Sequence, residues 1–131
     1  MAEAPQKKFL LEILIPTGEL FSGQVTLVTI PGSEGYFGVL PGHAPMIASL
    51  KPGLVTIGQG EQLYFVSFGV AEVLPDTVTL FADYAVDTKS VDLRQSRAQL
   101  EELTVKAKSG STDELDREIL ILTTLLELLE E

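Results

Sequence analysis

One stretch of fifteen residues, 31 to 45, constrains the fold more than any other part of the chain. It contains four glycines and three prolines. Glycine allows backbone conformations closed to other residues and proline fixes its own φ angle, so these positions determine where the chain turns. One short apolar run, Tyr36 to Leu40, lies between them and is too short for a helix. The stretch therefore predicts a brief strand between two exposed loops, Ser33-Glu34 and residues 42 to 45, on a rigid frame suited to docking.

Short apolar runs separated by turn residues fill the chain on both sides of this stretch, up to residue 86. β-branched and aromatic residues favour strands, and turns about every 8 to 12 residues are typical of an all-β sandwich or barrel. The sequence therefore predicts an N-terminal antiparallel β-sandwich over residues 1 to 86. Its other predicted strands are Phe9 to Ile15, Gln24 to Ile30, Met46 to Leu50, Leu54 to Ile57, Gln62 to Phe68, Gly69 to Leu74 and Thr77 to Tyr84.

The hydrophobic period changes from two to about 3.6 after residue 86. No glycine or proline occurs between Asp92 and Lys108, and apolar residues recur there on one helical face. Asp92 followed by Gln95 predicts the start of the helix as a capping box, with Ser90 as an alternative cap one turn earlier. The pattern therefore predicts an amphipathic helix.

A second helix is predicted from Thr112 to Glu131, with Ser111 and Glu114 as its capping box. Two helices of similar length joined by about four residues predict an antiparallel two-helix hairpin over residues 87 to 131. The predicted fold class is thus mainly β plus α. The apolar face of the last helix is wider than one partner helix needs. That face can cover the sandwich, pair with another protein's helix, or bury itself in a dimer.

Composition excludes several classes of function. The 131 residues allow one good core with a small appendage, and the formal net charge of −10 repels phosphate backbones, which argues against a nucleic-acid partner. No apolar run approaches the roughly 20 residues that span a bilayer, and residues 1 to 8 are too short and polar for a signal peptide. A peripheral position on a membrane complex agrees with these features.

No residue set in the sequence predicts catalysis or metal binding. Cysteine is absent and His43 is the only histidine, with no nucleophile nearby in sequence to form a catalytic set. The glycines around Ser33 lack the lysine of a phosphate-binding loop, and no helix follows them, so turn formation explains them. The sequence therefore predicts no catalytic residues and no metal site.

Four motifs together strongly resemble the epsilon subunit of bacterial rotary ATP synthases, which is called delta in mitochondria. They are Phe21-Ser22-Gly23, Pro31-Gly32-Ser33-Glu34-Gly35, Phe37-Gly38-Val39-Leu40-Pro41-Gly42-His43-Ala44-Pro45 and Lys51-Pro52-Gly53. The resemblance covers almost the whole chain, because this family is a β-sandwich followed by a two-helix hairpin.

The resemblance implies a non-catalytic subunit of the central stalk, clamped between the gamma subunit and the c-ring and turning with both. Such a subunit couples gamma to the ring of a proton- or sodium-translocating enzyme, peripheral on the cytoplasmic face of the bacterial inner membrane. The positions that match the c-ring side are Ser33, Glu34 and Tyr36. Those that match the gamma side are Pro41, Gly42 and His43.

The family's hairpin lies folded on the sandwich or extends into the catalytic head, where it meets the alpha and beta subunits and blocks hydrolysis. Some members bind ATP at the start of the first helix, and Asp92 matches that aspartate. Here Gln95 and Ser96 follow it, with the arginines out of register, so no cofactor is expected. The last helix has seven acids and one base, whereas inhibitory members use bases there. The resemblance therefore predicts a mainly folded hairpin and a weak brake.

The alternative function from the sequence is a free-standing module in which the sandwich and hairpin enclose a nucleotide or another small molecule. A third class, a hydrolase built on a sandwich, lacks a nucleophile with an adjacent base in the sequence.

Overall fold

The computed structural model describes residues 7 to 130, in two compact units that divide after Val86. The first unit is built from strands and the second mainly from helices. The strands are β1 Phe9–Ile15, β2 Gly18–Val25, β3 Val28–Gly32, β4 Gly35–Val39, β5 Met46–Leu50, β6 Gly53–Ile57, β7 Gln62–Val66, β8 Gly69–Val73, β9 Thr77–Ala82 and β10 Ala85–Asp87. A 3₁₀ turn, Thr88–Ser90, precedes the helices α1 Leu93–Ser109 and α2 Asp113–Leu129.

The ten strands form one sheet. Nine of them follow one another in the order β10-β7-β6-β3-β5-β8-β9-β1-β2, and the tenth, β4, pairs with β3 outside this order. Consecutive hairpins such as β1–β2, β6–β7 and β8–β9 are antiparallel. The predicted fold class is confirmed, with one difference from a purely antiparallel sandwich. β1 and β9 run parallel, with Leu11 opposite Val78.

Alternating side chains of the strands build the core of the first unit. In β1, Phe9, Leu11 and Ile13 are buried, while Leu10 and Glu12 between them are only partly covered. The same alternation in the other strands produces one buried cluster, whose members with no exposed surface include Val28, Ile30, Val39, Val55, Val66, Ala71, Val73, Val78 and Leu80. Burial of apolar surface at about 25 cal/mol per Å² is the main force holding these strands together.

The prediction of a single strand from Gln24 to Ile30 is wrong. β2 ends at Val25 and β3 begins at Val28, with a bend between them. Val25 and Val28 are both buried although three positions separate them, so the two-residue alternation of a continuous strand is broken. The bend transfers the chain from pairing with β1 to pairing with β4 and β6.

The other predicted strands agree with observed ones within about two residues, a normal margin for strand ends. The run Tyr36 to Leu40 corresponds to β4. β10 was not predicted from the sequence, because three residues carry too little pattern to identify a strand.

The second unit contains the predicted antiparallel hairpin. Asp92 caps α1 as predicted, because its Oδ1 accepts hydrogen bonds from the backbone N–H groups of Arg94 and Gln95 at 3.0 and 3.2 Å. Arg97, just after the first turn of α1, forms an ion pair of 2.7 Å with Glu130, just after α2. The start of α1 therefore contacts the end of α2, as in an antiparallel hairpin. Neither described helix is long and apolar enough to cross a membrane.

The predicted cap of the second helix is wrong by one residue. Thr112, and not Ser111, precedes α2, and its Oγ1 accepts a hydrogen bond from the N–H of Leu115 at 3.1 Å. The Ser111 hydroxyl instead donates to the Asp116 carboxylate. α2 ends at Leu129, two residues before the predicted end.

Candidate docking site

The first predicted loop is the tip of the β3–β4 hairpin. Gly32 pairs with Gly35, which leaves exposed Ser33 and Glu34 as a two-residue turn. Gly35 has a φ of +132°, a conformation that favours glycine. The Ser33 N–H donates to the carbonyl of Ser49 at 2.8 Å, so the tip is fixed to β5. Two polar side chains therefore project from an anchored turn.

Tyr36 follows the tip, but its side chain is engaged within the protein. Its hydroxyl accepts a hydrogen bond of 3.2 Å from the N–H of Leu54, and the Lys51 ammonium lies 5.5 Å from the centre of its ring. Half of Tyr36 remains exposed. Of the three residues predicted to face the c-ring, Ser33 and Glu34 present free side chains, whereas the Tyr36 hydroxyl connects the hairpin to Leu54 of β6.

The second predicted loop begins at the other end of β4, roughly 13 Å along the strand. The N–H of Gly42 donates to the carbonyl of Pro75 at 2.8 Å, which ties the loop to the β8–β9 connection. The N–H of His43 donates to the carbonyl of Leu40 at 3.2 Å, and its Nδ1 lies 2.7 Å from the carbonyl oxygen of Ala44. The predicted gamma-side residues Pro41, Gly42 and His43 thus share one anchored loop, distinct from the tip.

The outer face of the sheet carries an exposed apolar row that the sequence did not predict. Val70 of β8 pairs with Phe81 of β9, and Phe81 pairs with Leu14 of β1. Val70 and Phe81 are 41% and 48% exposed. Ile47 lies on the same face of the adjacent strand β5. The pattern of each strand shows that these residues point outward, but only the strand register shows that they adjoin.

The described residues do not form a recognisable catalytic or metal centre. Within residues 7 to 130, no group of three His, Asp or Glu side chains is placed to hold a metal ion. Three open clefts measure about 290, 350 and 430 Å³, near the lower limit for small-molecule sites, and neither His43 nor Asp92 lines them. The Asp92 carboxylate is used as the cap of α1.

The chain thus consists of a β-sandwich domain with two anchored loops and an exposed apolar row, followed by a helical hairpin. The family model described as "ATP synthase, Delta/Epsilon chain, beta-sandwich domain" matches residues 8–88. The chain belongs to the ATP synthase delta/epsilon family, and the resemblance inferred from its motifs is confirmed.

Similar proteins agree with this assignment over most of their length. The chain is 48% identical over 108 residues to the ATP synthase epsilon chain of Magnetococcus marinus, covering 81% of this chain and 73% of that protein. It is 38% identical over 113 residues to the ATP synthase epsilon chain of a Bradyrhizobium species, covering 85% and 84%. A chain of the Euglena gracilis mitochondrial ATP synthase, solved as its OSCP/F1/c-ring portion, superimposes with a TM-score of 0.72 at 26% identity, covering 98% of this chain and 82% of that one.

Proposed function

We propose that this chain is the non-catalytic epsilon subunit of a rotary ATP synthase and couples the gamma subunit to the c-ring. The observation that carries the proposal is the pair of docking loops at opposite ends of β4, each tied to a different part of the sandwich by backbone hydrogen bonds. A rotor part must transmit torque without bending. Two loops that are hydrogen-bonded to the sandwich and joined by one short strand would resist such bending.

The c-ring side of the proposed interface is the β3–β4 tip. Ser33 and Glu34 are exposed there, and a carboxylate and a hydroxyl suit the polar loops of a membrane ring. Tyr36, in β4 just after the tip, accepts a hydrogen bond from Leu54 of β6 and so helps to fix the position of the tip.

The gamma side of the proposed interface is the loop with Pro41, Gly42 and His43. The apolar row of Val70, Phe81 and Leu14 supports a protein partner on this unit, because large apolar side chains that adjoin on a surface favour protein contacts. Packing of a partner subunit on this row would contribute hydrophobic stabilisation that the polar tip lacks.

The hairpin, residues 87 to 131, is proposed to be a weak regulatory element. Residues 113 to 131 carry seven acids and one base, so this tail would mostly repel an acidic segment of the beta subunit in the catalytic head. ATP is not proposed as a ligand, because the Asp92 carboxylate already accepts two backbone hydrogen bonds. The proposed location is peripheral, on the cytoplasmic face of the bacterial inner membrane, in an enzyme that moves protons or sodium ions.

The test is ATP hydrolysis by a catalytic head depleted of its own epsilon subunit, after addition of the full chain or of a chain ending at Ser90. Both chains should co-elute with gamma and neither should slow hydrolysis more than about twofold. Slowing of several-fold by the full chain alone would show that the hairpin is a strong brake. Failure of both chains to bind gamma would contradict the proposed function.

The alternative, a nucleotide-binding module, makes a different prediction. ATP at 100 times its dissociation constant would add about 2.7 kcal/mol to the free energy of unfolding. We expect no shift of the thermal midpoint with ATP.

A further inference from the structure

The two ends of the helical hairpin differ in how their charges are placed. At the closed end, where the loop joins α1 to α2, each helix carries charges that suit its own dipole. Lys106 and Lys108 lie in the last turn of α1, and the first turn of α2 holds three acids. The covalent connection through residues 110 to 112 also keeps the helices together there. The closed end is thus fixed by the chain itself and by charges within each helix.

The open end, where α1 begins and α2 ends, has the reverse arrangement. The last turn of α2 contains no base, and Glu127 and Glu130 place negative charge beside its free carbonyl groups, which the helix dipole disfavours. Beyond its cap Asp92, the first turn of α1 contains no acid and holds Arg94, although the start of a helix favours acids. Each helix therefore lacks, at this end, a charge that the other helix carries.

One ion pair connects the two helices at the open end. Both Nε and Nη2 of Arg97 donate to Oε1 of Glu130, at 3.0 and 2.7 Å. The two side chains are 58% and 40% exposed, so dissolved salt screens their attraction. Apolar packing of α1 is shallow, because α1 has no buried residue and Leu128 in the last turn of α2 is 36% exposed. The ion pair is therefore a substantial part of what closes this end.

We propose that the Arg97–Glu130 ion pair is a salt-sensitive latch, and that the hairpin opens first where the end of α2 leaves the start of α1. Arg97 supplies the positive charge that the C-terminus of α2 lacks. An exposed ion pair changes such an opening equilibrium by a factor of up to about five, and about 1 M salt screens most of that effect. Any consequence for ATP hydrolysis rests on the proposed function, whereas the latch is a contact within this chain and needs no partner subunit.

Amide hydrogen exchange measured by NMR on the full chain tests the latch. The reporters are the amides of residues 127 to 130, such as the N–H of Glu130, which donates to the carbonyl of Leu126 at 2.9 Å. Raising the salt from about 0.01 to 1 M should speed their exchange roughly two- to fivefold. In Arg97→Gln this acceleration should be lost, because no attraction remains to be screened. An equal acceleration in both chains would overturn the inference.

Arg94→Gln is the matched control, because it removes the same charge from the start of α1. Among residues 7 to 130, Arg94 forms no ion pair. The salt dependence of the unaltered chain should therefore persist in Arg94→Gln. Its loss there would show that the net charge of α1, and not the contact with Glu130, controls the open end, and this would also overturn the latch.

Charge reversal separates the latch from effects within one helix. Glu130→Arg suits the dipole of α2 but repels Arg97, so the latch predicts faster exchange in the last turn, whereas the dipole alone predicts slower exchange. Adding Arg97→Glu restores an opposite pair and should return exchange to the original rate or below it. Slower exchange in Glu130→Arg alone, or no recovery in the double variant, would overturn the latch. None of these measurements involves gamma, so the proposed function is tested separately.

Discussion

The Tyr36 hydroxyl and the Leu54 backbone N–H are joined by a hydrogen bond of 3.2 Å between residues 18 positions apart. The bond links β4, next to the docking tip, to β6. The Lys51 ammonium lies over the same ring at 5.5 Å, within the range of cation–π attraction. Tyr36 therefore links the tip to β6 through its hydroxyl, while half of the residue stays exposed.

Replacing Tyr36 should weaken this link in proportion to what is removed. Tyr36→Phe keeps the ring but loses the acceptor, which should lower the free energy of unfolding by about 1 kcal/mol and speed exchange of the Leu54 amide. Tyr36→Ala should cost more, because the ring contact with Lys51 is also lost. Ser33→Ala, at the exposed tip, is the control and should change stability by less than about 0.5 kcal/mol. An unchanged Leu54 amide in Tyr36→Phe would contradict the assigned role.

The Tyr36 side chain passes so close to Gly53 that no larger residue fits there. A Cβ at Gly53 would lie 2.6 Å from the Tyr36 hydroxyl oxygen and 2.7 Å from Cβ of Pro31. Gly53→Ala should therefore cost roughly 1 to 3 kcal/mol in denaturant unfolding. Gly38→Ala is the matched control, since its Cβ would meet only Leu27 at an ordinary 3.8 Å.

A double-mutant cycle gives the Gly53 prediction a second readout. Tyr36→Ala removes one of the two clashing groups, so Gly53→Ala should cost less in that background than in the unaltered chain. Equal costs in both backgrounds would show that Tyr36 does not restrict Gly53.

Local sterics explain which parts of the fold the sequence predicts. Glycine and proline positions fix the turns around β4 whatever the rest of the chain does, so this strand and its loops could be predicted. The bend between Val25 and Val28 could not be predicted. It occurs where the chain changes from one strand partner to another, and strand pairing depends on residues far apart in sequence. The parallel contact of β1 with β9 and the adjacency of Val70 and Phe81 depend on register in the same way.

The candidate site was predicted in part for the same reason. Ser33 and His43 lie in loops that the sequence defines, and the structure places both there. The hydrogen bond of Tyr36 depends on Leu54, 18 residues away, and the exposed apolar row depends on how β8 pairs with β9. Neither relationship leaves a signal within a local window of sequence.

The cap of α2 offers a direct comparison of two adjacent hydroxyl residues. Thr112 accepts the hydrogen bond of the Leu115 N–H, so Thr112→Ala should destabilise the helix by about 1 kcal/mol. Ser111→Ala removes only an exposed contact with Asp116 and should cost far less. Amide exchange in the first turn of α2, measured on the full chain, distinguishes the two variants. The reverse order of effects would restore the capping box predicted from the sequence.

Tyr84 should make stability depend on pH in the alkaline range. Its ring packs edge-on against Phe65 with centroids 6.3 Å apart, and although 42% of the residue is exposed, burial of the rest raises the pKa of its phenol. The folded chain therefore holds this proton more tightly than the unfolded chain does. The resulting stabilisation is fully present below about pH 10, the ordinary pKa of tyrosine, and is lost as the pH rises through the raised value.

Comparison with Tyr84→Phe isolates this effect, because phenylalanine keeps the ring but cannot ionise. Other alkaline titrations, including those of the lysines, are common to both chains and cancel in the difference. Urea unfolding at several pH values should show the unaltered chain losing stability relative to Tyr84→Phe once the pH exceeds about 10. A difference that stays constant across that range would mean that the Tyr84 phenol is as well solvated in the folded chain as in the unfolded one.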